Sequence, residues 1–419
     1  MKIGLSLAIV DPKGSGVIAA LNEDFTNGAV SLDPLITFSR ASSATYFDSA
    51  GVLQTAGSGV ARAHAFQDYN PSTLAPLGFL IEEQRTNLLL YSVEFDNAAW
   101  GKSNCTITAN TVTSPAGTTT GDTLTTTVAG GAINQTTQAF SANSTVTISV
   151  FAKKNTSNFL RMELGNLVNC WFNLNTGATA SNGAGSGNVL FSAKSIQAIN
   201  NGWYRCVLTV TTTTVTTLGV LLFATDTDGN TSSINSSIYL FGAQAEVGAF
   251  ATSYIATTTA AATRLADSAS ITGTNFSQWY NQTEGTFVAT ATPVLESISG
   301  YVWRVDDATE NERTFLRAGS SLALFFVIDG GSTQADLSTG NTLATGIEFT
   351  HAAGYNAGDF ATAFNGGNLL TDGAGTLPTV TRLLIGQNIS GASIWNGRIT
   401  RLSYYRSRLS NASLQSLST

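Results

Sequence analysis

The stretch TVTISVFA at residues 145–152 decides the fold class. Val146, Ile148 and Val150 alternate with Thr145, Thr147 and Ser149. Successive side chains on an extended backbone point to opposite faces, so this pattern predicts a strand with one face on a core and a hydroxyl-bearing face on solvent. Thr keeps strand propensity on a wet face without adding charge. The pattern continues outward through WYRCVLTV (203–210), TLGVLLFA (217–224) and SIYLFG (237–242), separated by Gly/Asn/Ser turns at 173–177, 182–187 and 226–230. Short strands at this spacing predict a β-sandwich of the jelly-roll kind over 93–257. A second set, TFVATAT (286–292), YVWRV (301–305), LALFFVI (322–328), TRLLIG (381–386) and GRITRLSY (397–404), predicts another sandwich over 275–419. It closes with LSNASLQSL (409–417), where Ser410 can cap a short helix that turns Leu414 and Leu417 inward.

Composition agrees. Of 419 residues, 11% are charged and 43% hydrophobic, which excludes a disordered chain. The net charge of −7 and the lack of a Lys/Arg cluster exclude nucleic acid as a partner. With two His and three scattered Cys, zinc and haem sites are not expected. Cys170 and Cys206 could pair in an oxidising compartment, or all three Cys could be buried thiols. No apolar run reaches the ~20 residues that span a bilayer, so no membrane insertion is expected. The apolar run at 3–10 stops at Asp11-Pro12 without a convincing cleavage site. Residues 1–33 are therefore read as an arm that docks on another chain.

Residues 34–92 show little periodicity and many turn signals. Glu82, Glu83 and Arg85, with Arg40 and Arg62 upstream, are conspicuous in so charge-poor a chain. Adjacent residues on a strand face opposite ways, so Glu82 and Glu83 do not suit acid/base chemistry on one substrate. They read as a structural ion network. Residues 258–274 turn to Ala and Thr and lose alternation, which reads as a connector between the sandwiches.

Three stretches carry a resemblance: FSRASSATYFDSAGVLQTA (38–56), DYNPSTLAPLGFLIEEQRTNLLLYS (68–92) with FDNAAW (95–100), and GAQAEVGAFATSYIATTTAAATRLAD (242–267). They resemble segments of tailed-phage and prophage virion proteins, the fibres and spikes of head or tail. The middle region is similar to carbohydrate-binding-module-like jelly rolls. The last region, ending LLIGQN…WNGRITRLSYYRSRLSNASLQSL (383–417), resembles laminin-G/concanavalin A-like sandwiches. The resemblance implies an all-β virion component, made in the host cytoplasm and displayed on the virion surface. It implies an irregular N-terminal attachment module, homotrimeric assembly, contact with other virion proteins through the N-terminal region, and host or environmental glycans as ligands. A capsid-decorating protein without a ligand, or a glycan-binding or polysaccharide-degrading protein built from the same modules, are the alternatives.

Glycan binders stack sugar rings on aromatic faces and bond the hydroxyls with polar side chains. Trp303, with Asp306, Asp307 and Arg313 beside it, and Trp395 with Asn396, are the candidates on that ground; Trp171 and Trp203 read as core. Asp226, Asp228 and Asn230 alternate in a turn, an oxygen set that suits calcium, the one cofactor the sequence raises. The clustered acidic loop Asp306, Asp307, Glu310 and Glu312 does not imply the opposed placement of a glycosidase pair and reads as a solvated turn. With no nucleophile elbow, metalloprotease motif or phosphate loop, no enzyme is expected.

Overall fold

A computed structural model describes residues 18–419 except 30, 166, 183–186, 296–298 and 368. The greater part of the expected N-terminal docking arm, residues 1–17, and most of the turn at 182–187 lie outside the described residues. The chain is all-β, 51% strand against 4% helix.

The first sandwich consists of two six-stranded antiparallel sheets. One runs, edge to edge, Val189–Ala198, Trp203–Thr212, Thr145–Lys154, Ser237–Val247, Thr119–Thr126 and Cys105–Thr113. The other runs Ala178–Asn182, Val168–Asn173, Phe159–Leu164, Thr216–Thr225, Ala132–Phe140 and Gly101–Ser103. Val146, Ile148 and Val150 meet Leu160, Met162, Leu218 and Leu222 in the core between them. Cys170 and Cys206 lie in this core as free thiols, and Cys105 is free too.

The hydroxyl face of Thr145–Lys154 is not wet, contrary to expectation. Thr147, Ser149 and Phe151 are buried, as are Arg205 and Thr209 on the neighbouring strand. The segment after Val247 lies over this face, and the hydroxyls bond within the protein: Thr147 to Thr209 at 3.0 Å, Ser149 to Arg205 at 2.9 Å.

The second sandwich pairs an eight-stranded sheet with a seven-stranded one, and it draws strands from both ends of the chain. Leu21–Asp24 and Pro76–Ile81 both pair with Gly397–Tyr405. Thr37–Ser39 pairs with Ser268–Thr272, which pairs in turn with Arg382–Ile385. Residues 34–92 are thus partly woven into the second sandwich rather than forming a separate irregular module. Residues 258–274 are likewise more than a spacer: Ala262–Arg264 pairs with Arg85–Asn87, and Ser268–Thr272 is an internal strand of the seven-stranded sheet. Strand length explains much of the difference, since Leu21–Asp24, Thr37–Ser39 and Ala262–Arg264, at three or four residues, are too short to display a period. Phe79, Leu80 and Ile81 are buried in succession, so that strand has no wet face to read. Ser410 caps the closing helix Asn411–Leu417 through its Oγ, which accepts from Ser413 N, and Leu414 and Leu417 are buried, as the sequence predicts.

Candidate functional site

The three stretches that carry the resemblance converge. Arg62, with no exposed surface, lies between Glu82 and Asp267, each at 2.6 Å. Arg40 reaches the other oxygen of Asp267 at 2.9 Å, and Arg264 Nε stands 3.5 Å from Glu82. Ser253 donates to Glu82 from its amide at 2.7 Å and from its hydroxyl at 2.6 Å. Burial alone would raise the Glu82 carboxyl; Arg264, Arg62 and the Ser253 donors outweigh it and hold Glu82 well below the usual carboxylate range. A carboxylate locked ionised between cations is a poor proton donor, so this cluster is a clamp rather than an acid.

Around it, Asn87 uses its whole amide: Nδ2 donates to the carbonyls of Ala243 and Ile255, and Oδ1 accepts from the amides of Leu89 and Ala245. Thr45 Oγ1 donates to the Tyr254 carbonyl at 2.6 Å. Asp68 accepts from Phe47 N at 2.9 Å and from Arg398 Nε at 3.0 Å. Arg85 pairs with Glu83, and its guanidinium lies 5.1 Å from the Phe250 ring centroid. Arg40, Glu82, Glu83 and Arg85 therefore occur in two adjoining sets, with Arg62, Arg264 and Asp267 as members. The sequence reading passed over Arg264 and Asp267, although two charges in an Ala/Thr stretch are a usable signal.

Beside the clamp, between the outer face of the first sandwich and the second, lies a groove. It has two hollows, of about 160 and 330 Å³, that share Gln197, Arg205, Phe250, Ala251 and Val294. Tyr46, Asp68, Asn396 and Arg398 line the smaller one.

The expected sugar platforms are elsewhere. Trp303 has no exposed surface and stacks on Phe287 with centroids 4.1 Å apart. Its strand, Tyr301–Asp306, is internal to the seven-stranded sheet and buried throughout. Trp395 is buried too, donating from its indole N–H to the Arg398 carbonyl at 3.2 Å. All six Trp are at most 3% exposed, so none presents a face for stacking. Asp306 is buried between Arg304 and Arg382, Arg313 pairs with Glu310, and Asp307 accepts from Thr309 within its own turn. Asn396 accepts from Glu83 N at 2.7 Å. The structure does not bring these residues into one site.

The oxygens of the calcium set make bonds of their own within the protein. Asp226 accepts from the Ser157 and Ser236 hydroxyls, Asp228 from the amide and hydroxyl of Ser181, and Asn230 from Ser232 N. Among the described residues no group of three or more His, Cys, Asp or Glu is placed to hold a metal ion.

No protein-family model matches the chain, and no curated protein matches it. Partial likenesses to solved structures exist. One is the carbohydrate-binding module CBM40 of the Ruminococcus gnavus IT-sialidase, at 17% identity over 35% of this chain and 88% of that one, TM-score 0.31. Another is a heptameric SAP-like pentraxin from Limulus polyphemus, at 17% identity over 32% of this chain and 70% of that one, TM-score 0.27. A third is the binding domain of botulinum neurotoxin DC in complex with rat synaptotagmin II, at 11% identity over 36% and 39%, TM-score 0.28. Likeness at this level assigns no ligand to the chain, so its own residues must carry the functional reading. No helix among the described residues is long and apolar enough to cross a membrane.

Proposed function

We propose that the chain is a non-enzymatic structural component of a tailed-phage particle, a fibre or spike that holds two β-sandwiches in fixed relation and displays them for adhesion to glycans. The observation that carries this reading is the convergence of the three phage-like stretches on one clamp, through Arg40, Glu82 and Asp267, with Arg62 from between the first two stretches. Their charged residues fasten the N-terminal region to the segment 253–267 that leads from the first sandwich to the second, a static arrangement that suits a part that must keep its shape outside a cell. Homotrimeric assembly and docking through the N-terminal region complete the proposal. Single contacts to sugars are weak, and copies on one particle compound them through effective concentration.

The test is mass spectrometry of purified virions, with labelled antibody to place the chain on head or tail, and light scattering for the assembly state. Presence in virions, a trimeric mass and retention on host glycans support the reading. Absence from virions, or turnover of a host polysaccharide by the purified chain, overturns it. Presence in virions with no glycan retention would instead favour decoration of the shell.

A further inference from the structure

In a chain this poor in charge, the groove holds a buried cation with no carboxylate in direct contact. Arg40, Arg62, Arg85, Arg264 and Arg398 each pair with an acid. Arg205, 8% exposed, forms no ion pair among the described residues; its Nη2 donates to Ser149 Oγ at 2.9 Å and its Nε–H has no acceptor. Glu246 and Glu82 act on Arg205 through space only; their own bonds go elsewhere, Glu82 to the clamp and Glu246 to the Gln244 amide and to Thr252. Leaving a buried charge unpaired is costly, and structural packing alone gives no reason to keep one. Arg205 lines both hollows of the groove, backed by the Phe151 ring at 5.4 Å.

We propose that the groove binds a carboxylate-bearing oligosaccharide, with Arg205 receiving the carboxylate. A guanidinium fork matches a carboxylate in plane. The groove is longer than one small anion needs. Phe250, half-buried and lining both hollows, offers apolar surface to a sugar, and the exposed Gln197 and Ser195 offer partners for hydroxyls. The proposal rests on the adhesion reading above and names its ligand class.

The experiment uses the full chain on an array of uronate- and sialate-terminated oligosaccharides, printed beside the same glycans with the carboxyl reduced to the alcohol. Arg205→Gln and Arg205→Lys are assayed in parallel, and melting temperature reports folding. Acidic glycans should be retained at least tenfold better than their reduced partners. Arg205→Gln should abolish that preference without lowering the melting temperature, because it removes an unpaired charge; Arg205→Lys should keep a reduced preference. Equal binding of acidic and reduced glycans, or Arg205→Gln binding as the parent does, overturns the proposal and leaves adhesion standing. Retention of no glycan overturns both. Inorganic sulfate that displaces the acidic glycan at equal concentration would mark a plain anion site and overturn the saccharide assignment.

Discussion

Replacing Arg62 with Met tests the clamp directly. Met fills a similar volume but removes the cation from between Glu82 and Asp267, each at 2.6 Å. Arg264 and Arg40 remain near the two acids, so the carboxylates are not stranded completely. Breaking a buried pair from one side costs about 3–5 kcal/mol. For sandwiches of this size that is a fall of roughly 6–20 °C in Tm. Adding Glu82→Gln should recover part of the loss, since it removes one of the acids left behind; the cycle should show a coupling of about 1–3 kcal/mol. Differential scanning calorimetry of parent, both single variants and the double variant measures it. Acid titration adds a second readout. The folded-state carboxyl of Glu82 lies below its ordinary 4.5, so its stabilisation is complete above that pH and is lost progressively as pH falls below it. In Glu82→Gln that part of the acid slope should vanish. A cost for Arg62→Met below about 1 kcal/mol, or strictly additive variants, would refute the claim that the clamp holds this region together.

Two further predictions concern buried groups away from the clamp. Burial, reinforced by Asp33, lifts the Glu23 carboxyl to about 7; the folded chain keeps a proton there that the unfolded chain releases near 4.5, so stability falls as pH rises between those values, by about 3 kcal/mol, and Glu23→Gln should flatten the fall in a pH series of melts. Trp303→Ala should cost about 3–5 kcal/mol in denaturant unfolding by opening the second core, yet leave the glycan preference of the folded protein intact.

The first sandwich is legible because its long strands keep one face on a core. Val146, Ile148 and Val150 announce that face whatever covers the other. What covers the other is illegible: Thr and Ser look the same whether their hydroxyls meet water or, as Thr147 and Thr209 do, each other. The N-terminal strands are illegible for a different reason. Leu21–Asp24 finds its partner at Tyr404, and no local pattern in four residues encodes a pairing across that distance. The Trp residues mislead because an aromatic near charges suggests a platform, whereas Trp303 faces Phe287 and Phe325 inward while Arg304 and Asp306 satisfy each other. Arg205 does leave a trace. It is the one charged residue in WYRCVLTV, at a position where the alternation calls for Thr or Ser.

Clamp and groove have a physical reason to lie together. A groove whose walls come from two sandwiches binds well only if the walls are already in place; otherwise part of the binding free energy goes into ordering them. Apolar contact holds surfaces together without fixing their angle, because burial is non-directional. Charge-assisted hydrogen bonds fix distance and angle, and in a dry joint they do so strongly. Asp68 shows the coupling at one residue: it fastens Arg398 of the second sandwich and the Phe47 amide of the N-terminal region, and it lines the groove. If the clamp is what sets the walls, loosening it at Arg62, which does not line the groove, should weaken acidic-glycan retention in proportion to lost rigidity, with every groove residue unchanged.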